Sequence, residues 1–207
     1  MNADAGEREP TRQELWDERH AAREPIESPE PDLTLVEEIG PIAPGRALDL
    51  GAGDGRNAVW LAAHGWDVTA VDFSRVALDR GRGLAERSGV EVEWVLADLL
   101  SWTPPVRSFD LVCLIFIHLP SAERRAVYQR AAEGVAPGGS LLVVAHDRTN
   151  LDEGAGGPQD PAVLFTAEEI AADLAGFTLV RAGTVRRARG DGGVAIDAVV
   201  RAVRRDA

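Results

Sequence analysis

Apolar and polar positions change period along the chain, and the changes mark out alternating strands and helices. Short apolar runs at Ala47 to Leu50, Asp67 to Val71, Glu91 to Leu96, Phe109 to Ile115 and Ser140 to Ala145 predict strands, several apolar enough for the middle of a parallel sheet. Helical stretches fall between them. Arg56 to His64 ends at Gly65, and Arg75 to Ser88 opens on the N-cap Ser74 and stops at Gly89. Ser121 to about Val135 is halted by Pro137-Gly138-Gly139, and Thr166-Ala-Glu-Glu169 is a capping box for a helix through Leu174. Phe177 to Ala188 and Val194 to Val203, joined by Gly190-Asp-Gly-Gly193, form a hairpin. Ahead of the first strand, Arg12 to Arg23 and Leu33 to Ile39 suit helices, separated by a proline-bearing stretch from Glu24 to Asp32. Residues 1–11 lack apolar content and are expected to be disordered. Residues 12–205 are expected to form one domain, with 12–40 as an N-terminal arm and 147–165 as a loop that is either a flap or disordered. Strands alternating with helices imply an α/β, Rossmann-like doubly wound fold with helices on both sheet faces.

The most informative junction is Arg46-Ala-Leu-Asp-Leu-Gly-Ala-Gly-Asp-Gly-Arg56. A buried strand runs into a glycine turn and then a helix, which is the construction of a nucleotide site. The next strand ends on Asp72, where a carboxylate can accept both hydroxyls of a ribose. A dinucleotide site uses G-x-G-x-x-G, its helix N-terminus facing a pyrophosphate. Here the spacing is G-x-G-x-G, with Asp49 two residues upstream, a charge that repels phosphate and attracts an ammonium or sulfonium. S-adenosylmethionine is therefore favoured over NAD.

Leu48 to Asn57, followed by Trp60-Leu-Ala-Ala-His-Gly-Trp-Asp-Val-Thr-Ala-Val-Asp-Phe-Ser74, resembles the class I S-adenosylmethionine-dependent methyltransferases. Within them the Gly-Arg-Asn after the glycines is similar to the small branch of tellurite-resistance and thiol methyltransferases. The resemblance implies a seven-stranded sheet of order 3-2-1-4-5-7-6 with the last strand antiparallel. It also implies cofactor contacts from Trp16, Asp49, Gly51, Ala52, Gly53, Arg56, Asn57, Asp72, Phe73, Asp98, Leu99 and Ile115, with S-adenosylhomocysteine as product. Trp16, with Arg19 and His20, would lie over the cofactor as part of a lid; the alternative is a simple anchor for the arm. Asp98 would accept from the adenine amino group, or else cap a turn.

Composition narrows the acceptor. The chain has 207 residues, 45% of them hydrophobic, and a net charge of −12, which disfavours nucleic acid and anionic membranes. All 22 basic residues are arginine, so lysine Schiff bases and the P-loop lysine are excluded. A single cysteine, Cys113, gives no disulfide framework, and the acidic start lacks a secretory signal, which together predict a soluble cytoplasmic protein. The expected partner is a small-molecule substrate, with the chain a monomer or homodimer and without metal. His118 and His146 fall at strand ends at the crevice and are the candidate general bases; the alternatives are a solvated turn histidine before a helix for His118 and, for His146, a polar strand terminus rather than an oriented pair with Asp147. Arg148, Arg186, Arg187 and Arg189 could meet an anionic substrate or lie on a solvated face. A thiolate, halide or chalcogen oxyanion acceptor would need no base. Two other readings remain: a non-catalytic S-adenosylmethionine-binding protein, and an NAD-dependent oxidoreductase.

Overall fold

The computed structural model describes residues 8–24 and 27–206. The expected disorder of 1–11 therefore falls largely outside the described residues. Within them, Thr11 is ordered, because its hydroxyl and the Glu14 carboxylate cap each other's backbone at the start of helix α1 (Arg12–Ala21). Helix α2 (Leu33–Ile39) starts at the Asp32 cap, and β1 (Arg46–Leu50) leads through the glycine turn to α3 (Arg56–Ala63). Then come β2 (Asp67–Asp72), α4 (Arg75–Ser88), β3 (Glu93–Leu96), β4 (Phe109–Ile115), α5 (Ser121–Gly134) and β5 (Val135–His146). The chain closes with α6 (Asn150–Glu153), α7 (Ala167–Ala172), β6 (Phe177–Ala188) and β7 (Val194–Arg204).

The strands form one seven-stranded sheet in the order β3-β2-β1-β4-β5-β7-β6, as expected. Only β7 runs antiparallel to its neighbours. Alternation along β1 and β4 sends Leu48, Leu50, Val112 and Leu114 to one face and Ala47, Leu111, Cys113 and Ile115 to the other. The first set packs with Tyr128 of α5 and Ile170 of α7, the second with Leu35 of α2 and Leu61 of α3. This two-sided burial is what β strands lacking polar alternation require.

Two local expectations change. Pro137-Gly138-Gly139 does not separate helix from strand. Val135 pairs with Phe109 and Ser140 with Leu111, so the four residues between them bulge out of an otherwise continuous β5. The 147–165 segment is ordered: it holds α6 and a turn of 3-10 helix at Pro161–Val163, and Asp147 bridges Phe165. Asn150 fastens it, its side-chain oxygen accepting from the Ile196 N–H and its amide donating to the Gly156 carbonyl. Among the described residues, no helix is long and apolar enough to cross a membrane.

Candidate active site

The carboxyl ends of β1, β2, β4 and β5 open into a crevice of about 890 Å³, of the size that small-molecule sites occupy. Sequence created it at the turn after β1, where Gly51, Gly53 and Gly55 all have positive φ. Gly53 needs that freedom to send its N–H to Asp72 Oδ2 at 2.9 Å. Gly55 serves packing rather than ligand approach, because the Trp94 indole occupies the space a Cβ would take. The other Asp72 oxygen accepts from the Ser74 N–H at 2.8 Å. Burial pushes the Asp72 carboxyl up, while those two N–H groups oppose the push. Two backbone donors aim the carboxylate and leave its outer lone pairs for a ligand.

Gly51, Ala52, Gly53, Arg56, Asn57, Asp72, Phe73, Asp98, Leu99 and Ile115 all line this crevice, as does Trp16. Asp98 also takes the alternative role, its carboxylate accepting from the Leu100 N–H at 2.8 Å. Asn57 spends its side-chain oxygen on the Asp32 N–H and so joins α3 to the arm.

Asp49, by contrast, is not among the residues that line the crevice. Alternation along β1 puts Asp49 on the face of Ala47, beneath the first turns of α3, 1% exposed. One side of its carboxyl accepts from the Ala58 N–H, and Oδ2 has no hydrogen-bond partner. Burial first, then the charge of Asp72, push its pKa up to about 7. The folded state thus keeps a proton that the unfolded carboxyl loses near its ordinary value. Asp49 contributes stability that is present in acid and lost as the pH rises through about 7. Relative to wild type, Asp49→Asn is expected to gain melting temperature as the pH rises from about 4 to about 7 and to hold that gain at higher pH. Parallel profiles of melting temperature against pH for the two chains would contradict this.

Helix α1 crosses over the crevice and is tied at both sides. Asp17 accepts from Ser74 Oγ, and the Arg80 guanidinium of α4 donates to the carbonyls of His20 and Arg23. His20 Nδ1 meets Asp54 Oδ1 at 2.6 Å, both side chains buried, and Arg12 meets Glu123 of α5 at 3.0 Å. Trp16 lies inside this strap, with the Arg19 guanidinium 4.9 Å over its ring.

The second half of the crevice holds both expected histidines. His118, in the loop after β4, and His146, the last residue of β5, stack with ring centroids 5.4 Å apart, and Phe116 lies 5.1 Å from His146. Phe116 has φ +57, a conformation costly for a residue with a side chain, and its N–H donates to the Val144 carbonyl. That kink turns the chain after β4 so that His118 folds back over the end of β5. Burial, then the neighbouring His146, pull the His118 imidazole down to about 4, so it is neutral near pH 7.

His146 is not oriented by Asp147, whose carboxylate instead accepts from the Thr149 N–H and hydroxyl. Its partner is Asp197 of β7, directly across the antiparallel ladder, with Nδ1 to Oδ1 at 2.9 Å. The approach is close but off the line of the ring N–H. Burial opposes the ionised form of Asp197, yet His146 and Arg187, the latter at 2.7 Å, outweigh it and hold the carboxyl below its ordinary value. Asp197 was missed in the sequence, although a lone acid in the apolar run Ala195 to Val200 is the signal that marks it. Arg187 also lies 5.1 Å over Phe116, whereas Arg148 and Arg189 pair with Glu169 and Asp191 away from the histidines. Among the described residues, no group of three or more potential ligands is placed to hold a metal.

Comparisons with known proteins agree with this geometry. A family model described as a methyltransferase domain matches residues 47–139. A 2-heptyl-1-hydroxyquinolin-4(1H)-one methyltransferase from Mycobacteroides abscessus is 28% identical over 146 residues, covering 68% of this chain and 64% of the relative. The chain spans less than two thirds of the length of the first curated relatives it matches, between 33% and 64%. Among solved structures, TehB from Haemophilus influenzae has a TM-score of 0.71 at 20% identity, over 84% of this chain and 63% of that one. The N-methyltransferase NodS from Bradyrhizobium japonicum WM9, in complex with S-adenosyl-L-homocysteine, has a TM-score of 0.67 at 19% identity, over 99% and 94%. With the glycine turn, the acid ending β2 and the strand order on the same sheet, residues 47–139 match a methyltransferase domain and the chain is similar to the S-adenosylmethionine-dependent methyltransferases.

Proposed function

We propose that this chain transfers a methyl group from S-adenosylmethionine to a small-molecule acceptor, with His146 as general base. The observation that carries the reading is one crevice with two chemically distinct ends: a carboxylate aimed by backbone donors at β2, and a histidine pair backed by a buried acid at β5 and β7.

At the first end, Asp72 would hold the ribose hydroxyls. Phe73, Leu99 and Ile115 would flank the adenosyl group, and Asp98 would meet the adenine edge beside its turn. Leu99 and Ile115 are buried, so they offer the apolar walls that a purine face needs. When bound, S-adenosylmethionine supplies a methyl group on a positively charged sulfur. The protein's work is alignment and exclusion of water, for which alignment alone is worth up to about 7–11 kcal/mol in favourable intramolecular models. The Trp16 strap, tied to α4 and α5, is placed to exclude solvent.

At the other end, the Nε2 lone pair of His146 would take the acceptor's proton as the acceptor's oxygen, nitrogen or sulfur forms its bond to the methyl carbon and the carbon–sulfonium bond breaks. Asp197 would keep the other ring proton on Nδ1 and stabilise the imidazolium that results. The acidic chain and the apolar Phe116, Ile117, Leu119 and Val163 around the histidines favour an uncharged organic acceptor over a nucleic acid. Incubation with S-adenosylmethionine and a panel of phenols, thiols and amines, followed by S-adenosylhomocysteine release, tests this reading. Release with at least one class is expected. Cofactor binding with silence across every class would favour a non-catalytic binding protein.

A further inference from the structure

We infer that Asp49, which lies outside the crevice lining, senses the charge on the cofactor's sulfur and so sets how strongly the site prefers the methyl donor to the demethylated product. The inference rests on the S-adenosylmethionine reading and adds a residue that acts on the cofactor without touching it.

Placement comes first. Asp49 stands two residues ahead of Gly51, which lines the crevice, and in the sheet it is flanked by Ala70 of β2 and Cys113 of β4. Together with Ala47 and Leu35 these neighbours make its face of the sheet apolar. The Ala58 N–H and Arg56, both of α3, favour the ionised carboxyl, whereas burial and the Asp72 charge at the end of β2 oppose it. Cys113 is the remaining titratable neighbour, and burial keeps its thiol protonated. Asp49 Oδ2 is buried with no hydrogen-bond partner, so nothing on that side fixes the carboxyl in either form and nearby charge tips the balance.

Two of the groups that tip it, Arg56 and Asp72, themselves line the crevice. A charge placed in the crevice is therefore felt at Asp49, through protein rather than water, where Coulombic effects are several-fold stronger than in bulk solvent. S-adenosylmethionine and S-adenosylhomocysteine share their carboxylate, ammonium, ribose and adenine. They differ by one methyl group and one positive charge on sulfur. The cation favours the ionised carboxyl, so binding of the donor draws a proton off Asp49, whereas binding of the product leaves it in place. With the carboxyl poised at about 7 in the free chain, affinity for the donor rises relative to the product as the pH climbs through neutrality. Contacts common to both ligands, including the ribose contact with Asp72, cancel in that comparison. Above neutrality the site holds its product less tightly than its donor by the amount the charge contributes, which assists product release.

The distinguishing experiment is titration calorimetry of the chain with each of the two ligands. From about pH 6 to 8 the ratio of donor to product affinity is expected to rise about fivefold, the change that results when the cation eases ionisation of Asp49 about tenfold. At about pH 7, parallel titrations in phosphate and in Tris, buffers of different ionisation enthalpy, should show the donor releasing roughly 0.4 proton more than the product. In Asp49→Asn, a neutral mimic of the protonated carboxyl, the ratio should be level with pH and the extra proton release absent. A level ratio in the wild type, or a rising ratio that survives in Asp49→Asn, would overturn the role of Asp49 while leaving methyl transfer intact. Failure of both ligands to bind would overturn both readings. The wild-type proton count decides the matter even if the variant does not fold.

Discussion

His146→Ala is expected to lower kcat by about 10²–10⁴-fold towards a protonated acceptor, the range that general-base catalysis supplies, with affinity for S-adenosylmethionine little changed. The expectation follows from placement. His146 lies at the end of β5, beyond the residues proposed to hold the cofactor, and contacts Asp197 rather than the glycine turn. Asp197→Asn separates this role from a packing one. The asparagine keeps the volume but removes the charge beside Nδ1, so kcat should fall while KM moves less, and the melting temperature should fall as well because Arg187 loses the same partner. A change in KM alone would indicate that Asp197 only shapes the pocket. An acceptor already ionised in solution should be methylated by His146→Ala nearly as fast as by wild type, because no proton has to be removed.

The second large effect is expected at Asp72. Asp72→Ala should weaken S-adenosylmethionine binding by about 10²-fold or more, since hydrogen bonds to a charged acceptor are worth about 1.5–3 kcal/mol each and a ribose offers two. Part of the loss would come through the turn, because the same carboxylate holds the N–H groups of Gly53 and Ser74. Asp72→Asn keeps one oxygen for the turn and so tests the ribose contact more cleanly. It should lose affinity for S-adenosylmethionine, yet retain affinity for methionine-like fragments that lack the ribose. Unchanged binding of S-adenosylmethionine in both variants would mean that the ribose sits elsewhere.

How much of this was legible in the sequence depended on whether the determinant was local. The glycine turn, the caps at Ser74 and Thr166, and the apolar strand runs act over a few residues, and the sheet order followed from them together with the family resemblance. The position of Asp49 was also local in principle. Period-two alternation from Ala47 assigns it to the α3 face, away from the crevice lining. The partnership of His146 with Asp197 is different in kind. It depends on which residue of β7 lies opposite residue 146, and antiparallel register over so long a separation is set by the whole sheet. The sequence neighbour Asp147 was closer along the chain but is turned away by its own Thr149 contacts. Likewise, the stacking of His118 on His146 comes from the left-handed turn at Phe116, which nothing in the residue type announces. The ordered 147–165 segment owes its shape to Asn150 reaching β7, again a contact between distant parts of the chain.

The most direct test of the central claim is a calorimetric titration of the purified chain with S-adenosylmethionine and, separately, with NADH. Saturable binding of S-adenosylmethionine at one site per chain, lost in Asp72→Ala, with no response to NADH, is the predicted result. Saturable NADH binding without any response to S-adenosylmethionine would contradict it.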